Sequence, residues 1–141
     1  MIKKFRTYSD GGARGNPGPA AYGGVVQVLN DEGHYVMVKE VKQYLGKTTN
    51  NQAEYKGLIA ALEAAQNLGA EDVECLLDSE LIVKQMNHEY RVKDPDLAPL
   101  FLKVWNLGTT FKKISYRHIP RAQNKEADRL VNEAIDAALG N

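Results

Sequence analysis

The hydrophobic period of the chain changes once, near Asn51, and that change limits the folds open to it. Before it, apolar residues alternate with polar ones in short runs bounded by turn formers, as in half-buried strands. Lys3–Ser9 is predicted to be a strand that stops at Asp10-Gly11-Gly12. Gly24–Leu29 is a second strand, Asn30-Asp31-Glu32-Gly33 a turn, and His34–Tyr44 the antiparallel return. Between the first two, Ala13–Ala20 (ARGNPGPA) is dense in Gly, Pro and Asn and reads as a loop. From Asn51 onward, Leu58, Ala61, Leu62, Ala65 and Leu68 recur at three- and four-residue spacing until Gly69, which predicts an amphipathic helix with a glycine stop. Val73–Leu77 is a short apolar strand, Ser79–Met86 and Pro95–Leu107 are helices, and Phe111–Ile119 is a last strand. Lys125–Leu139 closes as a helix with Ala127, Val131, Ala134, Ile135 and Ala138 on one face. Three antiparallel strands followed by strand–helix alternation predict an α/β protein with a mixed sheet flanked by helices.

No repeat, low-complexity tract or linker interrupts this order, and 141 residues suit one domain, here 1–141. No apolar run approaches the roughly 18 residues of a spanning helix, and the start MIKKFRTYSDGG lacks a signal-peptide stretch. A soluble, cytoplasmic protein with no membrane partner is expected. A single cysteine, Cys75, excludes an intrachain disulfide and a cysteine-rich zinc site. Eighteen basic and eighteen acidic residues cancel, so any nucleic acid must be held by local contacts rather than bulk charge.

Four carboxylates occupy unusual places. Asp10 and Asp78 each end a predicted strand, and ligands of open parallel sheets bind beyond such ends. If the two strands are parallel neighbours, both acids emerge at one edge. Glu54, four residues before Leu58, shares the apolar stripe of its helix. Asp128 precedes Val131 by three residues and Ile135 by seven, which puts it on the buried side of the last helix. Each has an ordinary alternative. Asp10 could be a turn residue, Glu54 part of a capping arrangement with Asn51, Asp78 a helix cap, and Asp128 a partner of Lys125. Taken together, four acids aimed at protein rather than water favour a metal site, since unpaired buried charge is expensive. Carboxylate oxygens suit Mg²⁺ or Mn²⁺, and His34, His88 and His118 are too scattered for a cluster.

The stretch Tyr8-Ser9-Asp10-Gly11-Gly12-Ala13-Arg14-Gly15-Asn16-Pro17-Gly18-Pro19 resembles the opening of a type 1 ribonuclease H. Thr48-Thr49-Asn50-Asn51-Gln52-Ala53-Glu54 resembles that family's second block, and Asp78-Ser79 after an apolar strand its third. Pro120-Arg121-x-x-Asn124-x-x-Ala127-Asp128 resembles the fourth, in the form of short archaeal and bacterial members. The resemblance implies a ribonuclease H-like fold, a five-stranded mixed sheet with helices on both faces. It implies an endoribonuclease that cleaves the RNA strand of RNA–DNA hybrids and leaves 5′-phosphate and 3′-hydroxyl ends. Asp10, Glu54, Asp78 and Asp128 match the acids that hold two Mg²⁺ ions, with Mn²⁺ as a substitute, in a protein expected to be a monomer.

Substrate choice is expected from the groove. Asn16, Asn50 and Asn51 match positions that read the minor groove, where RNA displays 2′-hydroxyls. Thr49 matches a contact to the DNA-strand phosphate, and Ser79 stands beside the third acid. The Gly11–Gly18 segment is expected to be a flexible loop that lets the backbone approach RNA, and Asn50 or Asn51 to cap the following helix. Glu80, where many relatives carry glutamine, would add an acid near the site. Only one further helix fits between residues 86 and 111, so the basic protrusion of longer relatives is expected to be absent and the hold on substrate salt-sensitive. Relatives often carry a mobile histidine that assists turnover. His118, ten residues before Asp128, matches its offset but sits near the end of a predicted strand. Arg121 is expected to be the phosphate-side helper instead, with His118 mainly structural.

Three other readings compete with this one. Gly46-Lys47-Thr48 imitates the end of a phosphate-binding P-loop, but Val41 stands where that motif needs its first glycine. A nuclease or integrase-like relative acting on DNA would share the acids. A hybrid-binding module without activity would be expected to have lost one of them.

Overall fold

The structure, a computed structural model, describes residues 2–141. Five strands form one sheet: β1 (Lys4–Ala13), β2 (Gly18–Leu29), β3 (Tyr35–Thr48), β4 (Asp72–Leu77) and β5 (Lys113–His118). Their order is β3-β2-β1-β4-β5. β1, β2 and β3 pair antiparallel, while β1, β4 and β5 run parallel. Four helices complete the chain: α1 (Asn50–Asn67), α2 (Glu80–Met86), α3 (Ala98–Gly108) and α4 (Lys125–Leu139). Among the described residues, no helix is long and apolar enough to cross a membrane.

The helices occupy both faces of the sheet. Side chains alternate along a strand, so the adjacent glycines Gly23 and Gly24 look in opposite directions. Gly23 lies under Ala127 and Leu130 of α4, and Gly24 faces Ala61 of α1. On the α1 side, Tyr55, Leu58 and Leu62 pack with Phe5, Val26, Val73 and Leu77 of the strands, and with Ile82 and Val104 of α2 and α3. On the other side, Val131, Ala134 and Ile135 of α4 cover Ala21 of β2.

The expected order of elements is observed, with differences in extent. β1 does not stop at Asp10 but continues through Gly11 and Gly12, which pair with Tyr22 and Ala21. β2 starts at Gly18, so only residues 14–17 separate the two strands. Glycine is read as a strand breaker because it has no side chain to pack, yet here the missing side chain is what the fold requires. A Cβ on Gly11 would lie 2.2 Å from the backbone of Ala53, and one on Gly57 would lie 2.7 Å from the Asp10 carbonyl. α1 is therefore seated on β1 through two bare positions, one on each element. The third predicted helix begins at Ala98 rather than Pro95, because the chain first makes a turn in which the Asp94 carbonyl accepts from the N–H groups of Leu97 and Ala98.

Gly11→Ala and Gly57→Ala are each expected to destabilise the fold by about 1–3 kcal/mol or more, as overpacking against backbone does. Gly12→Ala, whose Cβ would meet nothing nearer than 3.9 Å, is the control and should be close to neutral. Chemical denaturation of the three variants checks this.

Candidate active site

The site is assembled at the C-terminal edge of the parallel strands. Ser9 of β1 lies beside Leu77 of β4, so the next residues, Asp10 and Asp78, emerge side by side. α1 adds Glu54 from its first turns. Thr49 caps this helix, its Oγ1 accepting from the Gln52 N–H at 3.2 Å. Asn50 and Asn51 are therefore helical residues, not the cap that was expected. Likewise Ser79, not Asp78, caps α2, its Oγ accepting from the Ile82 N–H at 3.3 Å. Both acids are thus released from the ordinary capping roles open to them.

Asp10, Glu54 and Asp78 each place a carboxylate oxygen within 4.8 Å of the others. Asp10 is 7% exposed and Glu54 6%, while Asp78 is half-buried. The Gly11 N–H donates to Asp10 Oδ1 at 2.9 Å and to Glu54 Oε1 at 3.1 Å. Gly11 therefore belongs to a strand rather than to a flexible loop, and its N–H serves both acids. Asp128 stands outside the tight group. Its side chain is 37% exposed, at the border of the buried face of α4, and Oδ1 pairs with Arg121 at 3.8 Å rather than with Lys125.

Burial pushes Asp10 above its ordinary value, and the negative charges of Asp78 and Asp128 push the same way. Burial raises Glu54 further, reinforced by its hydrogen bond with Asp10 and by the charges of Asp10 and Asp78. Asp78 is raised by burial and by Asp128, against hydrogen bonding from Asn124 and the charge of Arg121. Like charges crowded in a poorly solvated place cannot all ionise cheaply. Glu54 Oε2 is buried and receives no protein donor. A proton shared with Asp10, or a cation, is what can satisfy it. Hard oxygen donors of this kind fit Mg²⁺ or Mn²⁺, so the residues present suit a divalent metal.

A cleft of about 570 Å³ opens over the acids, and Asn50, Asn51, Ser79 and Arg121 line it. Asn16 sits on the exposed loop beside it and is bound to its rim, its Oδ1 accepting from the Asn50 N–H at 3.0 Å. Asn50 Oδ1 in turn accepts from the Ala13 N–H at 2.8 Å. Arg121 starts a short 3-10 turn, Arg121–Gln123, with its side chain 83% exposed. His118 ends β5, exposed, and is not among the cleft residues. Glu80 lies outside the cleft too, ion-paired with Lys84 at 2.9 Å.

Some contributors carry no role in the sequence reading, although Arg14 and Asn124 stand in the first and fourth motif blocks. Arg14 and Asn132 line the cleft, and Arg14 ties the β1–β2 loop to α4 through Asp136 at 2.7 Å and Asn132 at 3.2 Å. Partners 118 residues or more apart leave no local pattern. Asn124 is buried behind the acids. Its position before a helix reads as an ordinary cap, which hides any other task.

A carboxylate cluster at the parallel edge of a β3-β2-β1-β4-β5 sheet with helices on both faces defines a protein of the ribonuclease H-like class. Residues 8–134 match the family model described as reverse transcriptase-like. Ribonuclease HI of Halobacterium salinarum is 47% identical over 135 residues, which cover 96% of this chain and 66% of that protein. The N-terminal ribonuclease H domain of a Mycobacterium tuberculosis protein superposes with a TM-score of 0.90 at 47% identity, covering 97% of this chain and 96% of that one. LC11-RNase H1, solved in complex with an RNA/DNA hybrid, superposes with a TM-score of 0.86 at 46% identity, covering 96% and 99%. The chain belongs to the type 1 ribonuclease H family. It spans 35% of the length of the curated mycobacterial relatives it matches.

The raised carboxylates set the pH dependence of stability. Between the ordinary values of 3.8 and 4.5 and the higher values in the fold, the folded protein binds more protons than the unfolded chain. Stability of the metal-free protein should therefore fall as pH rises from about 4 toward neutrality. Glu54→Gln keeps an acceptor for Gly11 and removes the charge, so in chelator it should flatten this decline and melt higher than wild type at neutral pH. Mn²⁺ should raise the wild-type melting temperature, more so as pH increases. Thermal melts across that pH range, with chelator or Mn²⁺, check all three expectations.

Proposed function

We propose that this protein is an endoribonuclease that hydrolyses the RNA strand of RNA–DNA hybrids, leaving 5′-phosphate and 3′-hydroxyl ends. The observation that carries the reading is the convergence of Asp10, Glu54 and Asp78 with an undonated Glu54 Oε2, in a chain 46% identical to a ribonuclease solved on such a hybrid. Asp10, Glu54, Asp78 and Asp128 are the residues that would hold two Mg²⁺ ions, or Mn²⁺ in their place. When bound, divalent ions supply charge neutralisation and an activated water for in-line phosphodiester displacement.

The remaining roles follow from which side-chain atoms are left over. Asn16 and Asn50 commit their carbonyl oxygens to backbone N–H groups, so their NH₂ groups remain to donate to groove acceptors and 2′-hydroxyls. Asn51 lines the same cleft. Thr49 and Ser79 accept from their own helices and keep a hydroxyl proton to donate to a phosphate oxygen. Arg121 can exchange its long contact with Asp128 for a phosphate, which a guanidinium grips in two places. His118 is left the structural role at the end of β5. Every one of these residues is carried by or beside a single sheet, which supports reading residues 1–141 as one domain; its action as a cytoplasmic monomer is part of the same proposal.

Matched RNA–DNA, RNA–RNA and DNA–DNA duplexes should show metal-dependent cutting of the hybrid's RNA strand, abolished by chelator. DNA–DNA cleavage at the same rate would move the protein to a DNA-directed function. Asp10→Asn should lower kcat by about 100-fold or more, as loss of several kcal/mol of metal-borne stabilisation requires, while the variant stays folded.

Arg121→Ala should lower kcat more than His118→Ala, and both less than Asp10→Asn. Steady-state kinetics on folded variants decides the order. A greater loss for His118→Ala would exchange the two roles.

A further inference from the structure

Asn124 occupies the N-cap position of α4, where an asparagine side chain normally accepts from the first free N–H groups of its own helix. Here it makes no such bond. Its Nδ2 instead donates to the backbone carbonyl of Ser9 at 2.9 Å, across 115 residues of sequence, and the residue is 1% exposed. Ser9 directly precedes Asp10. Its strand neighbour Leu77 directly precedes Asp78. The Asn124 main chain meets the rest of the site: its carbonyl accepts from the Asp128 N–H at 3.1 Å, and its N–H donates to the Arg121 carbonyl at 3.0 Å. One residue thus touches the strand that carries Asp10, the first turn that carries Asp128, and the short helix that carries Arg121.

We infer that Asn124 is a positioning residue, whose side chain ties β1 to the start of α4 and sets the spacing of the acids for the metal. The inference rests on the metal-dependent reading above and deepens it. An asparagine that only filled the core or only started α4 would be replaceable by any residue that preserved folding. One that sets carboxylate spacing would not be, because partners behind first ligands commonly contribute 10- to 100-fold in metal affinity.

Asn124→Ser separates the two roles. Serine is a strong N-cap and can start α4 unaided, but it is too short to span to the Ser9 carbonyl in the same way. Asn124→Ala removes both functions. Mn²⁺ binding to the full chain is measured by calorimetry without substrate, beside thermal melts in chelator. Hybrid cleavage is then followed as a function of Mg²⁺. Asn124→Ser is expected to fold, to bind Mn²⁺ about 10- to 100-fold more weakly, and to need correspondingly more Mg²⁺ for half-maximal kcat. Its KM for the hybrid should stay within about twofold, and excess Mg²⁺ should restore most of kcat. Should Asn124→Ala fail to fold, the serine variant carries the test alone. A folded Asn124→Ser with wild-type Mn²⁺ affinity and wild-type Mg²⁺ dependence would overturn the inference while leaving the proposed function intact. A wild-type protein that bound no Mn²⁺ would overturn both.

Discussion

The site depends on a helix lying against a strand with no side chain between them. Gly11 on β1 faces the backbone of Ala53 and Glu54, and Gly57 on α1 faces the Asp10 carbonyl. Each glycine makes room for the other element's main chain, so the two segments meet closer than any pair of Cβ atoms would permit. That proximity brings Glu54 to the Gly11 N–H and presses it against Asp10. Everything acidic follows from it. β4, parallel to β1, adds Asp78 at the same edge, and α4, seated over Gly23, brings Asp128 to the border. The fold thereby crowds several carboxyl groups, which burial and one another's charge push above their ordinary values. Sites of function commonly hold such locally unfavourable arrangements, which the surrounding packing sustains.

Much of this could be read before the structure, and what could not has a physical reason. The order of strands and helices follows from period alone, because burying one face of an element imposes that period on its sequence. Asp10 and Asp78 were legible as strand-end acids, and Glu54 by its place on an apolar stripe; all three lie together. Asp128 was read as buried and is instead at a border, since periodicity assigns a face but not how far a neighbour overhangs it. Gly11 and Gly12 were read as a loop because glycine's chemistry is the same in a mobile turn and beneath a close-packed helix. Only the partner, Ala53, separates the two meanings. The caps lie a residue from where they are expected for a related reason: Thr49, Asn50 and Asn51 are all competent to start a helix, and the contacts of Asn50 with Ala13 and Asn16 leave the task to Thr49.

Asn124 and Arg14 mark the other limit of sequence reasoning. Both make their defining contacts with residues more than a hundred positions away. An asparagine before a helix and an arginine in a glycine-rich loop each have an adequate local explanation, and their places in the motif blocks name no distant partner. Their contacts also show how the loop and α4, which are never neighbours in sequence, are held in register around the acids. Arg14 fastens the loop to Asp136 from outside, and Asn124 fastens β1 to the helix start from within.

The neutrality of the chain fits this arrangement. Both arginines that line the cleft are already paired with acids of α4, Arg14 with Asp136 and Arg121 with Asp128. Neither projects unopposed positive charge toward a duplex, so long-range attraction contributes less than in a basic nuclease. What the rim presents instead is a set of donors. The amide groups of Asn16 and Asn50 and the hydroxyl of Ser79 each accept one backbone N–H and keep their own N–H or O–H groups to donate. The centre of the cleft presents only carboxylate acceptors, suited to cations. Under the proposed function, a phosphate meeting this surface would find donors at the rim and, at the centre, carboxylates that would accept it only with metal between. Selectivity built this way would come from the orientation of short-range hydrogen bonds, and it would require no excess of lysine and arginine.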